Sequence, residues 1–217
     1  MEISVIIRVH GDEKSVSKAI DSALVQTLSN KKYEVLVIAD SITNGVKQIL
    51  SSYGDKIKTV FFNNLGSIKA INKGIRLCKG DYYILLDSDD FLMPHALERM
   101  SLKIGKNTFI YGDYYEKIRS NVNYFKVGKN PFNTIGGGIL FKKEEVINAG
   151  LYDENLIFPE YDLIKKLIKN NAKISYIAEP LYVYVRRRDS TTSNKEIVKK
   201  GIKQLEEKYG KLPIRRY

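Results

Sequence analysis

The segment Tyr82–Asp90 reads YYILLDSDD, an apolar run followed at once by a cluster of carboxylates. Three other short apolar runs, Ile3–Ile7, Val35–Ala39 and Thr59–Phe62, precede it along the chain. Runs of this length and composition are typical of strands that are buried on both faces. The stretches between them repeat apolar residues at helical spacing, as in Val16, Ala19, Ile20, Ala23 and Leu24. The sequence therefore predicts an α/β fold with a mostly parallel central sheet and helices on both faces.

Several side chains that can bind ligands follow the predicted strands directly. Arg8, Val9 and His10 come after the first strand, and Asp40 ends the second. Open parallel sheets bind ligands in the crevice outside the carboxyl ends of their strands, so we expect these residues to border a ligand. The sequence contains no Walker-type or Rossmann glycine fingerprint.

The acidic cluster after the fourth strand predicts a metal site. Asp87, Asp89 and Asp90 would repel one another at a strand end, and burying them is costly unless a cation balances their charge. Hard oxygen ligands suit Mg²⁺ or Mn²⁺, which use one or two carboxylates and complete their coordination with substrate phosphates. The alternative is a solvated turn in which Ser88 or Asp90 caps the next helix.

Length and composition indicate one domain. The chain has 217 residues, a mass of 24.8 kDa and one cysteine. We expect a first half over residues 1–90, a second half over 91–194, and a basic C-terminal helix and tail over 195–217. A lone cysteine cannot form an internal disulfide, and no apolar run reaches the length that spans a bilayer. These features favour a cytoplasmic protein, or one at the periphery of a membrane.

The basic charge balance is compatible with several partners. The formal net charge is +11, and residues 195–217 hold eight basic against three acidic side chains. Nucleic acid, anionic lipid, phosphorylated small molecules or solubility alone would each explain such a balance. We expect no nucleic-acid partner, because acids occupy the predicted ligand edge and no recognition motif is evident. The basic C-terminal segment is a candidate for contact with anionic lipid, and the charged outer face of a packed helix is the alternative.

An ordered series of motifs resembles the inverting glycosyltransferases of family 2, which have the Rossmann-like GT-A fold. Ile3–Gly11 is similar to the family's V-S-V-I-I-P-T-Y-N, and Ala19–Thr27 is similar to A-I-x-S-x-L-x-Q-T. Asn64–Gly74 matches N-x-G-x-x-x-A-x-N-x-G, and Lys79–Pro94 follows K-G-D-Y-I-x-x-L-D-S-D-D-x-x-x-P closely. The resemblance extends over about residues 3–193. It implies that residues 1–90 are the nucleotide-binding half and residues 91–194 the acceptor-binding and catalytic half.

The resemblance implies a nucleoside diphosphate sugar as donor, commonly a UDP-sugar. Arg8, Val9 and His10 would then contact the nucleobase. Asp40 would bond the base, although the family's partner aspartate is replaced by Ala39.

The resemblance also implies a metal site at the D-x-D motif. Asp89 would coordinate Mn²⁺ or Mg²⁺ between the two phosphates, and Asp87 would lie near the ribose or the metal. Ser88 stands between them and is included in the donor site. Lys69 on the third predicted helix is a further candidate for donor binding, and a solvated helix face is the alternative.

By the same resemblance, Glu160 is the general base and lies at the start of a helix. Asp162 is the second candidate for that role. The family has a histidine near the diphosphate where this chain has Arg187 or Arg188. A guanidinium can pair with phosphate through two hydrogen bonds. The segment Gly136–Gly138 would border the donor sugar and the acceptor, because glycine lets the backbone approach a ligand closely. A flexible turn before a strand is the alternative.

These features predict a metal-dependent transfer of a sugar from a UDP-linked donor to the hydroxyl of a glycan or lipid-linked acceptor, with inversion. A sugar-phosphate nucleotidyltransferase is the alternative, but it would have a glycine-rich basic loop where only Arg8 and Gly11 stand. A nucleic-acid-binding domain without catalysis is the third possibility.

Overall fold

The computed structural model describes residues 2–11, 15–188 and 190–214, and these residues build one mixed sheet flanked by helices. The strands are β1 (Ile3–Val9), β2 (Tyr33–Asp40), β3 (Lys58–Phe62), β4 (Tyr82–Asp87), β5 (Phe91–Leu92), β6 (Phe109–Ile118), β7 (Asn121–Phe125), β8 (Leu140–Lys142) and β9 (Ile174–Val185). The helices are α1 (Val16–Leu24), α2 (Asn44–Ser52), α3 (Ser67–Leu77), α4 (Ala96–Ser101), α5 (Lys143–Asn148), α6 (Pro159–Lys169) and α7 (Lys195–Tyr209). The strand order is β3-β2-β1-β4-β8-β6-β9-β5, and β7 pairs with β6.

The first four strands form the parallel part of the sheet. β1 pairs with β2 on one side and with β4 on the other, and β3 pairs with β2, all in parallel. Each connection contains a helix, because parallel neighbours need a long crossover. Ile3, Val5, Ile6 and Ile7 of β1 are fully buried, as a strand covered on both faces requires. The predicted alternation of strands and helices is confirmed.

The register of these strands brings the predicted ligand-binding residues to one edge. Arg8 pairs with Ile38 of β2 and with Asp87 of β4. Since the carboxyl ends of parallel neighbours meet at the same edge, the residues that follow them face one crevice. Arg8 and Asp87 therefore stand directly opposite each other.

The second half of the sheet is largely antiparallel. β8 pairs antiparallel with β4 and β6, β7 with β6, and β5 with β9. The sequence predicts two strands here, at 174–177 and 182–185, but they form the single strand β9, which pairs parallel with β6. The register shifts near Asp113, where Pro180 of β9 lies opposite and has no backbone N–H to offer.

Two elements were not predicted and one is shorter than predicted. β5 has two residues and α5 has six, too few for a periodic pattern to stand out. The spacing of Leu97, Met100 and Ile104 predicts a helix that extends to Ile104, but α4 ends at Ser101. The following backbone forms tight turns, with the N–H groups of Lys103 and Ile104 bonded three residues back.

One hydrophobic core joins the two halves. Buried residues of the parallel strands, such as Ile6 and Leu36, belong to the same cluster as Phe109 and Phe141 of the second half. The ring of Tyr83 on β4 stacks on Phe141 of β8, with centroids 5.8 Å apart. The acidic edge of the parallel strands is thereby fixed against the elements that follow it.

The predicted C-terminal helix is confirmed as α7. Asn194 caps it by accepting hydrogen bonds from the backbone N–H groups of its first turn. Val198, Gly201 and Leu205 are buried against the rest of the protein. Arg215 and Arg216, which contribute to the basic segment, lie outside the described residues. In the described ranges, no helix is both long enough and apolar enough to cross a membrane.

Candidate active site

A cleft of about 560 Å³ opens at the carboxyl ends of β1 and β4. Its walls also include the start of α3, the glycine segment before β8, the start of α6 and the residues after β9. The structure brings together here the predicted residues Arg8, His10, Asp87, Ser88, Asp89, Glu160 and Arg187.

Two arginines pair with the carboxylates of the cleft. Arg8 donates to Oδ1 of Asp87 from Nη2 at 2.8 Å and from Nε at 3.0 Å. Nε of Arg187 lies 3.2 Å from Oδ2 of Asp89. Arg8 also donates to the hydroxyl of Ser67 at the start of α3. All four charged side chains are partly exposed, so a ligand can reach them.

Asp90 is held in a different way from its two neighbours. It is almost fully buried, accepts a hydrogen bond from the Val185 N–H at 2.7 Å, and is bonded to the hydroxyl of Tyr182. Burial first, and then repulsion from Asp87 and Asp89, raises the pKa of Asp90 well above its usual value. Asp90 therefore ties the end of β4 to β9.

Glu160 lines the same cleft as the aspartates and lies in the first turn of α6, directly after Pro159. Burial is the main reason why the pKa of Glu160 is raised to about 8, and the charge of Asp87 adds to the rise. Gly136 packs against this side chain, and a Cβ at that position would lie 2.3 Å from Cγ of Glu160. Glu160 is thus confined, with its carboxyl group directed to the cleft.

The residues predicted to bind the base lie at the ends of β1 and β2. Nδ1 of His10 is 2.9 Å from the backbone oxygen of Asp40. The carboxylate of Asp40 accepts hydrogen bonds from the N–H groups of Leu65 and Gly66, at 3.1 and 2.9 Å. Burial alone would raise the pKa of Asp40, but these donors outweigh it and the pKa is lowered. Asp40 therefore orders the loop that leads into α3, and Val9 is fully buried in the core.

Three other predicted site residues do not line the cleft. Lys69 borders a second cavity on the other side of α3. Arg188 is exposed on the segment after β9. Asp162 is fully buried and pairs with Lys166 and Lys208. Their roles in binding or catalysis stay predictions.

Tyr182 of β9 forms part of the cleft wall and was not identified from the sequence. A Cβ on Gly137 would lie 2.7 Å from its hydroxyl oxygen, and a Cβ on Gly138 would lie 2.8 Å from its Cβ. With Gly136 against Glu160, each of the three glycines leaves room for a side chain of the cleft. The run of three glycines in the sequence therefore indicated that large side chains, here Glu160 and Tyr182, pack closely against this segment.

Asp87 and Asp89 are the carboxylates that could hold a divalent cation. Across residues 2–11, 15–188 and 190–214, no group of three or more His, Cys, Asp or Glu side chains is placed to hold a metal ion. Mg²⁺ and Mn²⁺ do not require such a group, since one or two carboxylates and the phosphates of a substrate suffice. The two aspartates fit a cation that is shared with a diphosphate.

A sheet that ends in an acidic cleft of this kind is the architecture of GT-A glycosyltransferases. The chain superimposes on residues 1–349 of S. aureus TarS in complex with UDP-GlcNAc with a TM-score of 0.75 and 16% identity, over 95% of this chain and 67% of that one. For a mannosyltransferase from Pyrobaculum calidifontis in complex with GDP-Man and Mn²⁺, the TM-score is 0.70 and the identity 12%, over 88% and 59%. These similarities confirm the predicted fold.

The chain belongs to glycosyl transferase family 2, because the model of that family matches residues 4–155. A protein of Rickettsia typhi named as an uncharacterized glycosyltransferase is 29% identical over 231 residues, which cover 94% of this chain and 68% of the relative. The poly(ribitol-phosphate) beta-glucosyltransferase of Bacillus spizizenii is 29% identical over 215 residues, or 87% of this chain and 33% of the relative. The predicted family and enzyme class are confirmed, although the chain spans only part of several relatives and the family match ends before Glu160.

The raised pKa of Glu160 makes a prediction about stability that does not depend on catalysis. A carboxyl whose pKa is higher in the folded state binds its proton more tightly there, so protonation stabilises the fold. We expect the free energy of unfolding of the wild type, relative to Glu160→Gln, to fall as the pH rises from about 4.5 to about 8 and to level off above that. Urea unfolding at pH 5, 7 and 9 measures this. A constant difference between the two proteins would contradict the raised pKa.

Proposed function

We propose that this chain transfers a sugar from a nucleoside diphosphate sugar to an acceptor hydroxyl in a metal-dependent reaction that inverts the anomeric centre. One observation carries the proposal: Glu160 and the pair Asp87 and Asp89 line the same cleft. A single displacement needs a base for the acceptor on one side of the sugar and neutralisation of the leaving diphosphate on the other.

The leaving side of the reaction is the wall that contains Arg8 and Arg187. A diphosphate that enters the cleft would draw these guanidinium groups from Asp87 and Asp89, because they pair well with phosphate. The released carboxylates would then hold Mn²⁺ or Mg²⁺, which supplies positive charge to the departing diphosphate. Ser88, between the two aspartates, also lines this wall.

Glu160 acts on the other side as the general base. As the acceptor oxygen bonds to the anomeric carbon, the bond from that carbon to the diphosphate breaks, and the hydroxyl proton passes to a carboxylate oxygen of Glu160. A pKa of about 8 suits this role, because a base is most effective when its pKa lies near the working pH.

UDP is the proposed nucleotide, and the base would bind where His10 lines the cleft, beside the backbone of Asp40. The S. aureus TarS structures with UDP-GlcNAc and with UDP support this assignment. The mannosyltransferase complex with GDP-Man and Mn²⁺ supports the use of a metal. Because its donor carries guanosine, donors tested on this chain should include a GDP-sugar.

The proposed acceptor is a glycan, and the poly(ribitol-phosphate) beta-glucosyltransferase among the relatives favours a polyol or sugar hydroxyl. A lipid-linked acceptor and contact of residues 195–217 with anionic lipid remain predictions, as does a cytoplasmic location. Binding of the chain to anionic vesicles, before and after removal of residues 211–217, measures that contact.

The base assignment predicts that Glu160→Gln lowers the transfer rate by about 10²- to 10⁴-fold, the usual contribution of a general base. Donor binding should be preserved, since glutamine has nearly the same shape. Nucleotide release from UDP-GlcNAc, UDP-glucose and GDP-mannose measures transfer, and calorimetry measures binding. Glu144→Gln is the matched control, because Glu144 lies in the first turn of α5 and is exposed. Normal transfer by Glu160→Gln would refute the assignment.

The metal assignment predicts that Mn²⁺ strengthens donor binding and that Asp89→Ala removes this effect. The aspartate contributes the negative charge that the cation needs beside the phosphates. Thermal shifts with each donor, with and without Mn²⁺, measure the effect. Asp55 is exposed and does not line the cleft, so Asp55→Ala is the control and should keep the effect of Mn²⁺. An equal response to Mn²⁺ in Asp89→Ala would contradict the assignment.

The ion pair of Arg8 predicts competition between the arginine and the cation. In Arg8→Met, Asp87 loses its partner, so Mn²⁺ alone should bind more tightly than to the wild type, while donor binding should weaken. Calorimetric titration with Mn²⁺ and then with donor measures both. Arg99→Met removes an exposed pair with Glu179 and is the control. Unchanged affinity for Mn²⁺ in Arg8→Met would show that the pair does not compete.

A further inference from the structure

The segment that leads to Glu160 is held from behind by α7. Glu160 faces the cleft, whereas Asp162, two residues further along α6, faces the opposite way. Nζ of Lys166 lies 2.7 Å from Oδ2 of Asp162 and Nζ of Lys208 lies 2.7 Å from Oδ1, which also accepts a hydrogen bond from the Tyr209 hydroxyl at 2.6 Å. Two of these three donors belong to the last turn of α7.

The buried carboxylate of Asp162 needs the positive charges of the lysines around it. A buried carboxylate is costly unless it is paired and hydrogen-bonded. Burial alone would raise the pKa of Asp162, but the hydrogen bonds of Lys166, Lys208 and Tyr209 outweigh it and the pKa is lowered. Asp162 therefore stays ionised, and moving α7 away would leave a buried charge with only one cation.

α7 also contacts the segment that precedes α6. Lys208 reaches Oδ2 of Asp153 at 3.0 Å. The side chain of Gln204 accepts a hydrogen bond from the Ile157 N–H and donates one to the Asn155 carbonyl, both at 3.1 Å. Gly201 leaves no room for a side chain, since a Cβ there would lie 2.5 Å from the ring of Phe158.

The other side of the same segment is the wall of the cleft. Ile157, Phe158, Pro159 and Glu160 line the cleft in succession. A single segment, residues 157–160, therefore lies between α7 and the cleft. A displacement of α7 would be transmitted to Glu160 because packed elements do not deform freely.

We propose that α7 sets the position of the general base, with Asp162, Lys208 and Tyr209 as positioning residues that act through α6. The inference rests on the proposed role of Glu160. It assigns Asp162 a role other than proton transfer, since its carboxylate is occupied by three donors on the side away from the cleft.

The test compares Lys208→Met with Lys203→Met. Lys203 is on the same helix, but its pair with Glu207 is exposed, so the control makes the same chemical change without touching Asp162. We expect Lys208→Met to lower kcat by about 10- to 100-fold, as a small misplacement of a catalytic group does. The KM for the donor and the affinity for UDP should change little, and Lys208→Arg should recover most of the loss. Rates are expressed per active site, counted by the stoichiometry of UDP binding.

Tyr209→Phe is the second variant, in case Lys208→Met does not fold. It deletes only one hydroxyl, so the protein should stay folded and kcat should fall by a smaller factor. Equal kcat for Lys203→Met and Tyr209→Phe, or a loss in Lys208→Met that appears in KM alone, would overturn the inference.

A double-mutant cycle separates this inference from the proposed function. If Lys208 acts through Glu160, Lys208→Met should lower kcat in the wild type but have almost no further effect in Glu160→Gln. Full additivity of the two losses would refute the positioning role while leaving the base assignment intact. Normal transfer by Glu160→Gln would instead refute the base assignment.

Discussion

The charge balance at the carboxyl edge of the parallel strands is the constraint on which the site depends. Neighbouring strands place Arg8 and Asp87 opposite each other by register, and Arg187 from the second half reaches Asp89. Without these guanidinium groups, the acids would repel one another beside an apolar sheet. Arg8 and Arg187, which balance these acids, carry guanidinium groups that also suit phosphate.

Acidic side chains that are close in the sequence differ in exposure and pKa because their surroundings differ. Asp89 is partly open to the cleft and paired with Arg187, whereas Asp90, its direct neighbour, is buried and has a pKa raised well above its usual value. Glu160 is confined and titrates near pH 8, and Asp162, two residues away, is ionised by its cationic neighbours. Environments that push the pKa values of similar groups apart allow carboxyl groups of one protein to differ in chemistry.

The parallel half could be predicted from the sequence because each strand is an uninterrupted apolar run and each helix has a regular apolar face. The edge that would bind a ligand follows from those strands, so Asp87, Asp89 and Arg8 were found with it. Partners that depend on distant segments were not accessible in this way. Tyr209 lies 47 residues from Asp162, and neither local spacing nor composition could show that they meet. Nor could any local pattern show that Asp40 turns toward the backbone before α3.

The position of α7 along the chain has a consequence for biosynthesis. The four parallel strands emerge from the ribosome first and bring Arg8, Asp87 and Asp89 together by local crossovers. The wall that contains Glu160 is completed only when residues near 208 have been translated, because long-range contacts form after the intervening polypeptide is available. A chain whose translation stops within α7 would keep the strands that carry Arg8, Asp87 and Asp89 but lack the contacts of Lys208 and Tyr209 with Asp162.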